Sequence, residues 1–310
     1  MLKAAAVVTV ALSLFVAGPA AAQSKSWTAV KGSVTPQAAF VFGANFDPIR
    51  KTASYATALK MFLDQEDDAK QAFELVKTHC QIDVPNALTD ATAIMKADEK
   101  PLVVLGLNGL DEPKVVACLE KIVMSFAPAG TAPIKLVAKK KGKVTEYTVP
   151  GESKKIYIAW LAADVLAFTD DPIAKGKLEK MLAGKAPKGE VGKMLAKVAT
   201  TAPIWFAVAK KEREAGIGTV LGGYGQIDIA GTNVNVTGHL IMAKASEASQ
   251  ATLAGNQGLE EAKRKAAKIP AAKKLLDTVT IVANGKEVDI KGTVADKDIV
   301  TLVPDLDKLF

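Results

Sequence analysis

Two histidines, two cysteines and one glycine-rich run are the residues of this chain that offer the most chemistry. His79 stands beside Cys80 in Thr78-His79-Cys80-Gln81. A Cys–His dyad needs thiol and imidazole facing each other, whereas neighbours on a helix diverge by about 100°. His79 therefore reads as a helix-end residue. His239 lies where Val234, Val236, Leu240 and Met242 alternate with Asn235, Thr237 and His239, which sets it on the polar side of a strand. A serine-hydrolase role would also require a G-x-S-x-G elbow, and the sequence has none.

The run Gly216 to Gly225 (GIGTVLGGYG) resembles a nucleotide loop, but Leu221 occupies the place of the third glycine in G-x-G-x-x-G. A strand follows it, so no helix N-terminus is supplied for a phosphate. The run reads as a bent strand or flexible connection, with a flap over a ligand cavity as the lesser alternative. Asp164, Asp170 and Asp171 are too close in sequence to imply a glycosidase pair, and Asp171 before Pro172 has a sufficient role as a helix cap. Asp64, Glu66, Asp67 and Asp68 lack the ligand order of a calcium loop and complement the dipole at a helix start. No catalytic residue, metal or cofactor is expected, and the chain reads as a non-enzyme.

Cys80 and Cys118 each fall on the apolar face of a helical stretch. Paired, they would stabilise the fold by roughly 4 kcal/mol through loop closure. The alternative is two separate buried thiols acting as small hydrophobes.

The start of the chain reads as an address. Lys3, an apolar stretch from Ala4 to Ala17, the Gly18-Pro19 break and Ala20-Ala21-Ala22 before Gln23 fit a cleaved signal peptide over residues 1–22. The apolar stretch is shorter than the roughly 20 residues of a bilayer-spanning helix. A periplasmic or secreted bacterial protein without a transmembrane segment after cleavage is expected. The formal charge is +7, carried by lysine apart from Arg50, Arg213 and Arg264. Nucleic-acid readers lean on arginine and interleaved aromatics, so no nucleic-acid partner is expected. The densest basic run, Lys139-Lys140-Lys141-Gly142-Lys143, sits where two strand-like stretches meet and reads as a solvated hairpin tip. Its functional alternative is docking to an anionic envelope surface.

The positioning elements alternate between the two periods of regular structure. Residues 23–36 are a polar leader, and Ala38 to Phe46 is a buried strand closed by Asp47-Pro48 as a helix start. Strands follow from Ala91 and Leu102, then a helix capped by Asp111, then strands over Ile134 to Lys140, Lys143 to Val149 and Ile156 to Phe168, the last split or bulged near Asp164. At Pro203 the pattern restarts: IWFAVA from Ile204, a strand pair turning at Gly231, a long helix from Ser246, and a hairpin across Asn284-Gly285. VAKKKGKVTEYTV from Val137 aligns with TIVANGKEVDIKGTV from Thr280. The expectation is an α+β protein, antiparallel sheets packed against amphipathic helices, in two duplicated units over residues 37–200 and 201–310.

The segment CQIDVPNALTDATAI from Cys80, with PLVVLGLNGLDEPKVVACLEKI from Pro101, resembles a pattern of bacterial exported proteins in which C-x-[IF]-D leads through strands to a helix containing A-C-L. That resemblance covers about 50 residues and implies export and a Cys80–Cys118 pairing, but no activity. The functional expectation is an exported binding protein, a carrier of a hydrophobic small molecule or lipid with Phe40, Phe42, Trp160, Trp205 and Phe206 as lining. The alternative is an interaction module for an envelope partner.

Overall fold

The apolar run AAFVFGAN forms strand β1 (Ala38–Asn45) in the computed structural model, which describes residues 24–96, 101–128, 130–151, 153, 155–169, 175, 176, 178, 179 and 187–302. The expected signal peptide and most of the helix expected from Asp171 lie outside these residues. Before β1 comes α1 (Lys25–Val30), capped by Ser24, whose hydroxyl accepts from Trp27 N. After it a single turn, Phe46–Ile49, has Asn45 in the cap position, two residues before the Asp47 that Asp47-Pro48 predicts. Helices α2 (Ala53–Gln65) and α3 (Asp67–Cys80) follow. Asp64 therefore closes α2 rather than opening α3, which starts at the next acidic pair, Asp67 and Asp68.

Strands β2 (Leu88–Lys96) and β3 (Leu102–Leu107) precede α4 (Glu112–Ser125), whose N-cap Asp111 accepts from Lys114 N as its sequence position predicts. A meander follows: β4 (Val137–Lys141), β5 (Val144–Thr148), β6 (Lys155–Ala162) and β7 (Val165–Thr169). The expected break near Asp164 is thus a hairpin turn. Then come α5 (Gly189–Leu195), β8 (Ile204–Val208), the short β9 (Glu212–Glu214), β10 (Gly218–Ala230) and β11 (Asn233–Met242). The chain continues through α6 (Ala245–Lys265), α7 (Pro270–Thr278), the hairpin β12 (Thr280–Asn284) and β13 (Glu287–Ala295), and α8 (Asp296–Leu302). Gly285 turns that hairpin at φ +60°, the left-handed conformation for which Asn-Gly is suited.

The architecture is α+β, with antiparallel pairing throughout the sheets. Contacts group Ala39–Met61 with Glu190–Phe310 in one unit and Gln23–Ala38 with Phe62–Gly189 in the other, so β1 belongs with the C-terminal half rather than with residues 37–200. In the unit containing β10, the strand order is β1-β8-β10-β11-β13-β12, with β9 paired to the start of β10. In the unit containing β2, it is β2-β3-β7-β6-β5-β4. The connections differ: one helix passage follows two strands in the β2 unit, while the α6–α7 passage follows β11 in the β10 unit.

The β2 unit buries Leu107, Tyr147, Ile158 and Leu166 against Val115, Val116 and Leu119 of α4. Cys80 and Cys118 are joined, with their Cα atoms 5.2 Å apart, linking α3 to α4. The leader is not loose: Asp90, 3% exposed, accepts from Ser24 Oγ and Ser26 N at 2.7 Å each. In the β10 unit, Ala44, Ile204, Ile227, Val234 and Val294 form one apolar face of the sheet, covered by Ile49, Ala58 and Ile299 from helical segments. At the other end of that face α6 sets Ala248 and Ala251 against Leu240, Val288 and Ile281.

Candidate functional site

Strand partners share a face of a sheet, so the register of the β10 unit decides which side chains meet. Phe40 pairs with Val208 and Phe42 with Phe206 across β1 and β8; Val208 then pairs with Gly223 and Phe206 with Gly225 on β10. On β11 the next partners are Leu240 and Gly238, and Ile290 of β13 stands opposite Gly238. The result is an apolar face whose middle strands carry no side chain where Gly225 and Gly238 oppose each other. A groove of about 450 Å³ lies beside that pair, over Gly223 and Gly238, lined also by Phe206, Val208, Leu240 and Ile290 and by Lys210, Glu212 and Glu214.

Glycine is required for different reasons along this floor. A Cβ on Gly225 would stand 2.5 Å from Thr237 O and 2.9 Å from Cζ of Phe206, so the ring rests on bare backbone. A Cβ on Gly238 would meet only Ile290 Cβ, at 4.0 Å, so that position opens into the groove. Gly222 has φ +143° beside the β10 bulge, a conformation that L side chains rarely adopt. The bent-strand reading of the glycine run thus describes β10, and the run forms the groove floor.

Three of the five expected lining residues, Phe40, Phe42 and Phe206, share this face. The rings of Phe40 and Phe42 lie 6.5 Å apart and nearly parallel. Trp205 lies elsewhere: neighbour to Phe206 in a strand, it points to the opposite face, where it is 0% exposed and lies against Gly43. Trp160 belongs to the β2 unit and packs on the Leu107–Tyr147 cluster. The strand period alone separates Trp205 from Phe206.

The reverse face of β10, β11 and β13 is polar, as the alternation around His239 predicts. Nδ1 of His239 lies 2.8 Å from Asp289 Oδ1, and the imidazole stacks on the Tyr224 ring, with centroids 4.5 Å apart and planes 14° from parallel. Tyr224 donates its hydroxyl hydrogen to Glu287 Oε2 at 2.8 Å, and Lys197 pairs with Glu287 Oε1. Burial pushes Glu287 up, but the hydrogen bonds from Lys197 and Tyr224 prevail and hold its carboxyl below the usual value. Burial, then the bond to Glu287, pushes the Tyr224 phenol upward, so it stays a donor. Among the described residues, His239, Glu287 and Asp289 are a trio whose ligand atoms all lie within 4.8 Å of one another. Sequence reasoning placed His239 on this face but missed the trio, because Asp289 and Glu287 meet it only through the β11–β13 register.

A second cavity, of about 500 Å³, lies beside α4 in the β2 unit, lined by His79, Met124 and Ile134. The Glu120–Lys135 pair on its wall spans 2.7 Å, and the hydrogen bond from Lys135 holds the Glu120 carboxyl below its usual value. His79 lies there without a cysteine thiol to activate, Cys80 being in the disulfide.

No protein-family model matches the chain, and no curated protein does. Among solved structures, crystal form III of TP0453 is similar in fold, with a TM-score of 0.50 at 10% identity over 88% of this chain and 96% of that one. Crystal form IV of TP0453 gives 0.46 at 11% identity over 90% and 99%, and crystal form I gives 0.47 at 10% over 91% and 97%.

Proposed function

We propose that the protein is a non-catalytic, exported bacterial binding protein that carries an apolar chain, such as a lipid acyl group, in the groove over Gly223 and Gly238. The observation that supports this reading is the absence of side chains in the middle of an otherwise apolar sheet face. Glycine weakens a strand interior, and here Gly223 and Gly238 leave a trough whose walls are Phe206, Leu240 and Ile290. Small-ligand sites are concave, mostly apolar and rimmed by a few polar groups, and a volume of about 450 Å³ is within their usual range. Export is supported by the leader pattern and by the Cys80–Cys118 bond, which suits an oxidising compartment. No helix among the described residues is long and apolar enough to cross a membrane. The non-catalytic part is supported by the surroundings of His239, which are a stacked phenol and two carboxylates rather than a nucleophile.

The test is native mass spectrometry of the mature protein from its own host, followed by organic extraction and lipid analysis. One apolar adduct per chain, and competition between that adduct and a fluorescent fatty acid, is the expected result. A clean apo mass with no saturable uptake of the probe would overturn the carrier reading. The second reading, docking to an anionic envelope surface, rests on the β4–β5 tip, where Lys139, Lys140, Lys141 and Lys143 are all exposed around Gly142. It predicts binding to anionic vesicles that disappears at high salt.

A further inference from the structure

The polar cluster behind the groove stands apart from the carrier reading, and its donors are arranged as a cation would need them. His239 and Asp289 are direct partners across β11 and β13, and Glu287 lies two residues before Asp289, on the same face. Nδ1 of His239 is 2.8 Å from Asp289 Oδ1 and 3.8 Å from Glu287 Oε2. An ion held about 2.0–2.2 Å from nitrogen and oxygen donors needs those donors roughly 3 to 3.5 Å apart, a spacing that falls between the two observed.

The surroundings hold the three side chains in place, as outer contacts of metal ligands do. Tyr224 stacks on the imidazole and donates to Glu287 Oε2, and Lys197 pairs with the other oxygen of that carboxylate. Asn284 Nδ2 donates to Asp289 Oδ2 at 3.3 Å. The ligand side chains are 22%, 23% and 23% exposed, which leaves an ion a route in and positions for water. Two carboxylates against one ammonium favour a cation electrostatically. An imidazole with two carboxylates suits a borderline ion, whereas calcium and magnesium favour oxygen donors alone.

We propose that His239, Asp289 and Glu287 bind a divalent transition-metal cation, zinc above all, on the reverse face of the β10 sheet. Three protein ligands on two strands form an open site, with water completing the coordination.

The experiment is a titration of metal-free mature protein with Zn²⁺ by isothermal calorimetry in a non-chelating buffer at neutral pH, repeated with Co²⁺ read by visible absorption. One equivalent of Zn²⁺ binds with a dissociation constant on the order of micromolar, and Co²⁺ gives the intense bands of four- or five-coordination. H239N and D289N each weaken binding at least tenfold, Y224F weakens it by about tenfold or less, and H79N leaves it unchanged. Near-UV circular dichroism confirms that the variants keep their packing; if H239N or D289N loses it, E287Q takes its place. No saturable binding, a cobalt spectrum like that of the aqueous ion, or undiminished binding in the folded H239N and D289N variants each overturns the site.

Discussion

The two units handle the same problem, an antiparallel sheet with one face to cover, in opposite ways. The β2 unit fills its face: Tyr147, Ile158, Leu166 and Trp160 meet α4, and a disulfide ties that helix to α3. The β10 unit holds neither cysteine and leaves its face open over Gly223 and Gly238, with half-buried Phe206 resting on Gly225. Filling a face secures stability, while withholding side chains from a strand makes a place for something else. Under the carrier proposal, the first unit supports and the second binds.

The largest blow to that contrast is expected at Trp205, the fully buried anchor of the β10 unit. Trp205→Ala should destabilise that unit by about 3 to 5 kcal/mol in denaturant unfolding, because its cavity faces the rigid backbone at Gly43. Next, removing the disulfide with Cys80→Ser and Cys118→Ser should lower the stability of the β2 unit by up to about 4 kcal/mol, leaving uptake of a fluorescent fatty acid by the β10 unit unchanged. A parallel loss of uptake would show that the units do not divide the work in this way.

The glycines sharpen the comparison further. Gly225→Ala forces a methyl against Thr237 O and the Phe206 ring and should cost about 1 to 3 kcal/mol. Gly238→Val, which meets only open space and Ile290, should keep the melting temperature within a few degrees while reducing fatty-acid uptake more than tenfold. Equal effects of the two substitutions on uptake and stability would remove the distinction between floor and mouth.

The smallest effect is electrostatic. Because the Glu287 carboxyl sits below its ordinary value of 4.5 in the folded protein, it contributes stability above that pH and loses it as the pH falls through the folded value. Glu287→Gln should therefore be less stable than the parent by under about 1 kcal/mol near neutrality, and the gap should close in acid. Unfolding curves taken at neutral pH and at progressively acid pH give both numbers.

Much of the scaffold is legible in local sequence. Asp111 caps its helix, Asn284-Gly285 turns its hairpin, and the alternation around His239 sets the two faces of β11. These signals reside in a few neighbouring residues. The period of a strand, carried by neighbouring residues, sets Trp205 and Phe206 on opposite faces. The groove and the His239–Asp289–Glu287 trio are different, because each needs a register between strands distant in sequence. The repeat seen between Val137 and Thr280 does correspond to two hairpins, β4–β5 and β12–β13, but the strand orders around them differ.

The way the chain shares itself between the units also bears on when they can form. Phe42 finds its partner only once Phe206 exists beside it, and Ser24 and Ser26 reach their acceptor only when Asp90 has arrived. The β1–β8 pairing therefore waits until most of the sequence has been made. Pairings this distant are slow to close. Until β8 arrives, Phe40 and Phe42 lack the apolar neighbours they have in the folded sheet.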